Sequence, residues 1–223
     1  MGDRDQPLLE LIERLAPVAY PALCEEYLPT CCIAAAAILT RVFREYGYRA
    51  EVIPATVRIY NAGMVKLLRD RVRIPDDEER REMFFELHKA WGVGIVPASA
   101  KVSALQDRRG GGYGGHLLLR VNRFLIDPTI RQAERPDKDI NLPDMLYYPH
   151  AEEFAQSGRL AVEVNGCHVF YDRIDDMSYR SAPDWNRRST PYPETVQKII
   201  QRITAKPVSA QEVLPCQPSS PTP

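Results

Sequence analysis

Apolar residues recur along the chain at two spacings, one typical of helices and one typical of strands. Residues 8–15 carry apolar side chains at helical spacing, and Pro17 predicts the end of that helix. A second helix is predicted from Thr30 to Tyr46, with Thr30 as its N-cap and Gly47 in the left-handed conformation beyond its last turn. The run IAAAAILTRVF is apolar on nearly every side, so this second helix is predicted to be central and buried.

Alternating apolar and polar positions predict strands farther along the chain. Residues 48–60 (YRAEVIPATVRIY) predict one or two strands, interrupted at Pro54 because proline cannot donate to a hydrogen-bond ladder. Residues 116–129 predict a β-hairpin with a two-residue Asn-Arg turn at 122–123. Residues 161–171 predict a second hairpin, whose Asn-Gly turn favours the type I′ conformation.

The other elements have weaker patterns. Residues 64–71 predict a short helix, and residues 76–91 predict a surface helix that begins with acidic side chains. Residues 93–96 predict a short strand. Residues 193–205 predict a last amphipathic helix.

Length and composition indicate one globular domain. The chain has 223 residues, and we expect a single domain over residues 1–205 with an insertion around 61–106. Residues 206–223 are rich in proline and serine and predict a disordered tail. The formal net charge of -1 and the scattered basic residues argue against binding to nucleic acid. No apolar run approaches the roughly 18 residues of a membrane span, and no signal-peptide pattern is present, so we expect a cytoplasmic protein that does not bind membranes.

The cysteines are the first candidates for chemistry. Five cysteines, an odd number, predict free thiols rather than a disulfide framework. Cys31 and Cys32 are adjacent in PTCCIAAAA, where the second predicted helix begins. Adjacent cysteines are poorly spaced for one tetrahedral zinc ion, so we expect neither a metal nor an organic cofactor. Thiols that only pack in the core, or a redox-sensing pair, are the alternatives to a nucleophile.

A histidine and an aspartate meet in the first predicted hairpin. The two-residue turn places Leu118 opposite Asp127, and His116 opposite Thr129. Since side chains alternate along a strand, all four share one face of the hairpin. Asp127 is then the diagonal neighbour of His116, close enough for a side-chain contact.

A thiol would complete this pair chemically. An imidazole oriented by a carboxylate can form an ion pair with a thiolate and later donate a proton to a leaving group. Cys31 and Cys32 lie in the first turn of the predicted central helix, where free backbone N–H groups and the positive end of the dipole favour a thiolate. The three residue types therefore predict a nucleophile, a base and a group that orients the base.

The same residues carry a resemblance to a known family. A cysteine at the start of a helix, GYRAEVIPA after that helix, then GHLLLRV and a strand closing in IDPT, resemble the transglutaminase-like branch of the papain-like superfamily. That branch includes transglutaminases, transglutaminase-like cysteine peptidases and, more distantly, arylamine N-acetyltransferases. The resemblance covers roughly residues 30–132. It departs from the family pattern at Leu117, which stands where a tryptophan often follows the histidine.

The resemblance implies both a fold and an activity. The implied fold is α+β, with a papain-like or transglutaminase-like core in which a central cysteine-bearing helix packs on an antiparallel β-sheet. The implied catalytic triad is Cys32, His116 and Asp127. The implied activity is that of a cysteine hydrolase or acyltransferase, which acts on an amide or ester bond through a thioester. Peptides, proteins and small amides or esters are the implied substrates, with peptidase, deamidase and transglutaminase-like reactions all open.

Three choices remain open from the sequence. Cys31 is an alternative nucleophile, although the family pattern favours Cys32 because it directly precedes the apolar run. Gln132 and Tyr27 are candidate donors to an oxyanion, or candidate supports for the triad. A catalytically inactive domain of the same fold, serving as a binding module, is the alternative function.

Overall fold

A curled antiparallel sheet organises this mixed α+β protein. The computed structural model describes residues 5–27, 32–95, 113–186 and 192–205. The strands are β1 (Ala50–Tyr60), β2 (Gly92–Ile95), β3 (His116–Val121), β4 (Phe124–Asp127), β5 (Leu146–Tyr148), β6 (Arg159–Val164) and β7 (Cys167–Arg173). The helices are α1 (Gln6–Cys24), α2 (Cys32–Glu45), α3 (Ala62–Arg69), α4 (Glu78–His88), α5 (Ala151–Ser157), α6 (Pro183–Asn186) and α7 (Tyr192–Ala205).

Strand β1 holds the sheet together. The strands follow the order β5-β4-β3-β1-β7-β6, with β2 paired to β1 outside this path. Along one edge of β1, β3 pairs from Ala50 to Ala55 and β2 pairs from Val57 to Tyr60. Along the other edge, β7 pairs from Ala55 to Tyr60. The change of partner from β3 to β2 therefore falls beside His116, which pairs with Ala55.

The two faces of the sheet bury two hydrophobic cores. Helices α1, α2 and α7 cover the first face, where they pack against Leu117, Leu119 and Val121 of β3. Helix α5 and the chain between β4 and β5 cover the second face, whose core includes Ala55 and Leu118. Because side chains alternate along β3, the residues on either side of Leu118 point to the helical face, while His116 shares the face of Leu118.

Helix α1 is longer than its sequence pattern predicts. The prediction that this helix ends before Pro17 is wrong, because α1 continues to Cys24 with Pro17 and Pro21 inside it. Each proline removes a backbone hydrogen bond and disturbs the preceding turn. The extra turns bury Ala22 and Leu23 completely in the first core, and this buried apolar surface offsets the lost hydrogen bonds.

Strand β1 also continues through a proline. The backbone oxygen of Pro54 accepts a hydrogen bond from the N–H of Ile174 at 3.1 Å, so the backbone polar groups of Pro54 face the β7 edge. The ladder between β1 and β7 ends at the pair Ala55 and Arg173. The missing N–H of Pro54 therefore falls at the end of a ladder and interrupts no interior pairing.

Both predicted hairpins are confirmed. β3 pairs with β4 in the predicted register, with Val121 opposite Phe124. β6 pairs with β7, and both turn residues, Asn165 and Gly166, have the positive φ angles of a type I′ turn. Gly47 has a φ of +80° after α2, as predicted. Strand β5 and helix α5 are additional to the predicted elements.

Helices α3 and α4 and strand β2 belong to the predicted insertion, which is anchored by Asn61. The buried side-chain amide of Asn61 donates to the backbone oxygens of Lys89 at 2.9 Å and Lys138 at 3.0 Å. Its oxygen accepts from the backbone N–H groups of Met64 and Trp91, both at 3.0 Å. These four bonds satisfy the amide, and the one to Lys138 fastens this part of the chain to the segment that follows β4.

Several predictions concern parts of the chain outside the described residues. These are the N-cap at Thr30, the alternative nucleophile Cys31, residues 96–106 of the insertion and the tail at 206–223. Within the described parts, no helix combines the length and the apolar character that a bilayer span needs.

Candidate active site

The confirmed hairpin register brings His116 and Asp127 together. The Nε2–H of His116 donates to Oδ1 of Asp127 at 2.8 Å. Both residues are buried, with exposed fractions of 0% and 3%. A charged pair so far from water needs further hydrogen bonds to be tolerated.

Asp127 receives those further bonds from two directions. The backbone N–H of Thr129 donates to Oδ1 at 3.1 Å. The hydroxyl of Tyr171, on β7, donates to Oδ2 at 2.9 Å. Both carboxylate oxygens therefore have donors, and the plane of the carboxylate is fixed relative to the ring of His116.

Cys32 is the first residue of α2 and approaches this pair at the start of β3. Its Sγ lies 4.0 Å from the backbone oxygen of Gly115, the residue that precedes His116. The thiol is also near enough to the ring of His116 to raise the pKa of that ring. It therefore lies beside the imidazole where β3 begins.

The charge state of His116 is set by its neighbours. Burial has the largest single effect. It favours the neutral ring and so lowers the pKa of His116. The charge and hydrogen bond of Asp127 act in the opposite direction, and Cys32 adds a smaller effect of the same sign. Together these partners outweigh burial and raise the pKa of His116 from 6.5 to about 10. The ring therefore carries a proton on each nitrogen at neutral pH, and Nδ1 is the nitrogen that does not face Asp127.

Gln132 lies on the ring of His116. Its Nε2 is 3.0 Å from Nδ1 of His116 and 3.5 Å from Oγ1 of Thr129. The amide N–H donates to Nδ1 when the ring is neutral, and the amide oxygen must face Nδ1 when the ring is protonated. Gln132 thus contacts the ring nitrogen that does not face Asp127, and a role for Gln132 as an oxyanion donor stays a prediction.

Tyr113 packs beside the thiol and was not among the predicted residues. Its hydroxyl donates to the backbone oxygen of His116 at 2.9 Å. A Cβ added at Gly115 would lie 2.5 Å from that hydroxyl, so the tyrosine packs directly over the glycine. Burial, followed by the charge of Cys32, raises the pKa of Tyr113. The phenol therefore remains a neutral hydrogen-bond donor at neutral pH.

The remaining candidates lie elsewhere or make other contacts. Tyr27, the second predicted donor, packs against the first core. Cys24 is exposed, and Cys167 is buried with its Sγ 3.5 Å from the backbone oxygen of Asp139. In the ranges that the structure describes, no three His, Cys, Asp or Glu residues are grouped so that they could hold a metal ion.

Cys32, His116 and Asp127 therefore lie close together between the start of α2 and the second core. Comparison of the chain with models of protein families, with curated proteins and with solved structures gives no match. What the site can do therefore has to be argued from its own geometry and chemistry.

Proposed function

We propose that this protein is a cysteine hydrolase or acyltransferase that acts on an amide or ester bond through a thioester. The observation that carries the proposal is the position of Cys32 at the start of α2, beside His116, whose Nε2 donates to Asp127. A thiolate, an imidazolium and a carboxylate in this order form a nucleophile with its acid-base partner.

The proposed reaction has two halves. The thiolate of Cys32 attacks the carbonyl carbon, a C–S bond forms, and the carbonyl electron pair moves to oxygen. When the tetrahedral intermediate collapses, His116 transfers the proton from Nδ1 to the leaving nitrogen or oxygen, and the thioester remains. His116 then removes a proton from water or an amine as it attacks the thioester, and the C–S bond breaks to regenerate the thiolate.

The fold supports a transglutaminase-like or papain-like assignment. The nucleophile lies at the head of a helix that packs on an antiparallel sheet, and the base and its carboxylate lie on neighbouring strands β3 and β4. The order of the three residues along the chain is the order of that superfamily. Peptides, proteins and small amides or esters are the substrate classes that suit this chemistry.

Alkylation of the thiols tests whether Cys32 is activated. Iodoacetamide at neutral pH should modify Cys32 at least tenfold faster than the exposed Cys24, because an imidazolium partner maintains the thiolate. His116→Ala should remove this advantage, whereas His150→Ala, at an exposed histidine, should leave it unchanged. Rates are read by mass spectrometry of the labelled peptides. Equal rates at Cys32 and Cys24 would contradict the proposal and favour the binding module.

An activated ester tests the thioester step itself. A p-nitrophenyl ester of a short acyl chain should release a burst of nitrophenol equal to one per protein, followed by slower turnover. The burst should vanish in Cys32→Ser and survive in Cys24→Ser. An increase of the slow phase on addition of a primary amine indicates acyl transfer, and an unchanged slow phase indicates hydrolysis.

A further inference from the structure

Tyr171 connects the candidate site to the hairpin formed by β6 and β7. The residue lies on β7, where it pairs with Val57 of β1, and its side chain enters the second core. Its hydroxyl nevertheless reaches Asp127 on β4, with β1 and β3 lying between the two strands in the sheet. Ala55 lies on the same face between them, and its small side chain leaves room for the phenol to cross.

The contact is shielded from water at both ends. Tyr171 and Asp127 each have an exposed fraction of 3%. A phenol that donates to an ionised carboxylate makes a charge-assisted hydrogen bond, which is stronger than one between neutral groups. Since His116 and Thr129 both donate to Oδ1, Tyr171 supplies the described donor to Oδ2.

The donor to Oδ2 determines how the carboxylate is turned. The two donors on Oδ1 hold one side of the carboxylate, and the phenol on Oδ2 holds the other side. With donors on both oxygens, the carboxylate resists tilting away from Nε2 of His116, and the ring keeps its orientation.

We propose that Tyr171 is a positioning residue for the reaction, acting through Asp127 to hold His116 in its productive orientation. This inference rests on the proposed function, because it concerns the same nucleophile and base. It assigns a role to a residue that the triad pattern does not contain, and it makes the β6–β7 hairpin part of the machinery.

The test is the pH dependence of Cys32 alkylation in Tyr171→Phe. The variant keeps the ring and loses only the hydroxyl, so Oδ2 loses its donor. We expect the alkylation rate at neutral pH to fall about tenfold, the effect of losing a hydrogen bond to a charged group. The acid limb of the profile should also move to higher pH, because an imidazolium that Asp127 holds less firmly maintains the thiolate of Cys32 less well. A purely structural role would leave the position of that limb unchanged.

The matched control is Tyr20→Phe, at a buried tyrosine on α1, which covers the opposite face of the sheet. It should show the wild-type profile. A folded Tyr171→Phe protein with the wild-type profile overturns the inference. If wild-type Cys32 is not activated, or if His116→Ala has no effect, the proposed function itself fails, so the two failures are distinguishable.

A second variant applies if Tyr171→Phe does not fold. Site-specific replacement of Tyr171 by 3-fluorotyrosine keeps the hydroxyl and makes it a stronger donor. The acid limb should then move to lower pH, the reverse of the shift in Tyr171→Phe. A fluorinated protein whose acid limb is unchanged, or moves to higher pH, contradicts the positioning role.

Discussion

At the scale of single residues, the candidate site depends on a histidine and an aspartate that water does not reach. Moving either ion into the protein interior is unfavourable, and the pair persists because every acceptor on Asp127 has a donor. His116 in turn is protonated because its neighbours offset burial. The folded protein therefore holds a proton on His116 that the unfolded chain largely loses at neutral pH.

That cation predicts a pH-dependent stability, best measured in Cys32→Ala because an unfolded cysteine thiol titrates in the same range. Asp127 raises the pKa of His116 more than Cys32 does, so the shift should persist in this variant. Between pH 6.5 and about 10 the folded state holds a proton on His116 that the unfolded state lacks. The free energy of unfolding should therefore decrease as pH rises through this range, and the contribution should be absent above it.

Urea denaturation from pH 6 to 10.5 measures the effect. Adding Asp127→Asn to Cys32→Ala removes the carboxylate charge and should flatten the slope over this range. A slope that is the same with and without Asp127→Asn would show that His116 is not the group responsible.

The pairing of His116 and Asp127 could be predicted from the sequence, whereas the contact with Tyr171 could not. A two-residue turn fixes a local register, and the alternation of side chains then decides which residues share a face. Tyr171 reaches Asp127 only because the curled sheet brings β7 toward β4. No local sequence pattern predicts that curvature of the sheet. Tyr113 was missed for a related reason, since its role follows from packing over Gly115.

At the scale of elements, α2 determines where the thiol lies. Ala34, Ala35 and Ala36 are buried in the first core, so the helix packs closely against β1 and β3. Small side chains bring the helix axis near the sheet and leave the first residue of α2 beside the first residue of β3. The alanines after Cys32 therefore position the thiol, although they take no part in the proposed reaction.

Enlarging one of these alanines should separate the thiol from its base. Ala35 is fully buried, and Ala35→Leu should lower the free energy of unfolding by about 1–3 kcal/mol through overpacking. The displaced helix should also slow the alkylation of Cys32. Ala37→Leu, at a half-buried position of the same helix, is the control and should have the smaller effect on both quantities. Unfolding in urea and iodoacetamide labelling measure them. Equal effects at the two positions would contradict the packing argument.

Element types follow from the sequence better than element ends do. The second helix and both hairpins have patterns strong enough to predict, and they form. Pro17 predicts a helix end and Pro54 predicts a break in a strand, but both elements continue. Buried apolar surface offsets the lost hydrogen bond in α1, and Pro54 lies where a ladder ends. Those compensations come from tertiary contacts, which the local pattern does not contain.

At the scale of the whole molecule, the contacts of the site join residues at very different separations in the sequence. His116 and Asp127 are 11 residues apart, Asp127 and Tyr171 are 44 apart, and Cys32 and Gly115 are 83 apart. Contacts between distant residues form later in folding, because closing a longer loop loses more chain entropy. The pair of base and carboxylate should therefore form before the thiol reaches it.

Refolding by dilution from urea tests this order. The rapid alkylation of Cys32 should recover in the slowest phase, after the fluorescence of Trp91 and Trp185 has begun to return. Pulses of iodoacetamide during refolding, read by mass spectrometry, measure it. Rapid alkylation that precedes the change in fluorescence would contradict the expected order.

The wide separation of these residues in the sequence has a consequence during synthesis. Cys32 leaves the ribosome early, while Asp127 and Tyr171 are still to be added. Until they arrive, the thiol has neither its cation nor the groups that hold that cation in place. On the proposed function, a nascent chain therefore carries an ordinary cysteine, and Cys32 should become reactive only after the strand bearing Tyr171 has been made and paired.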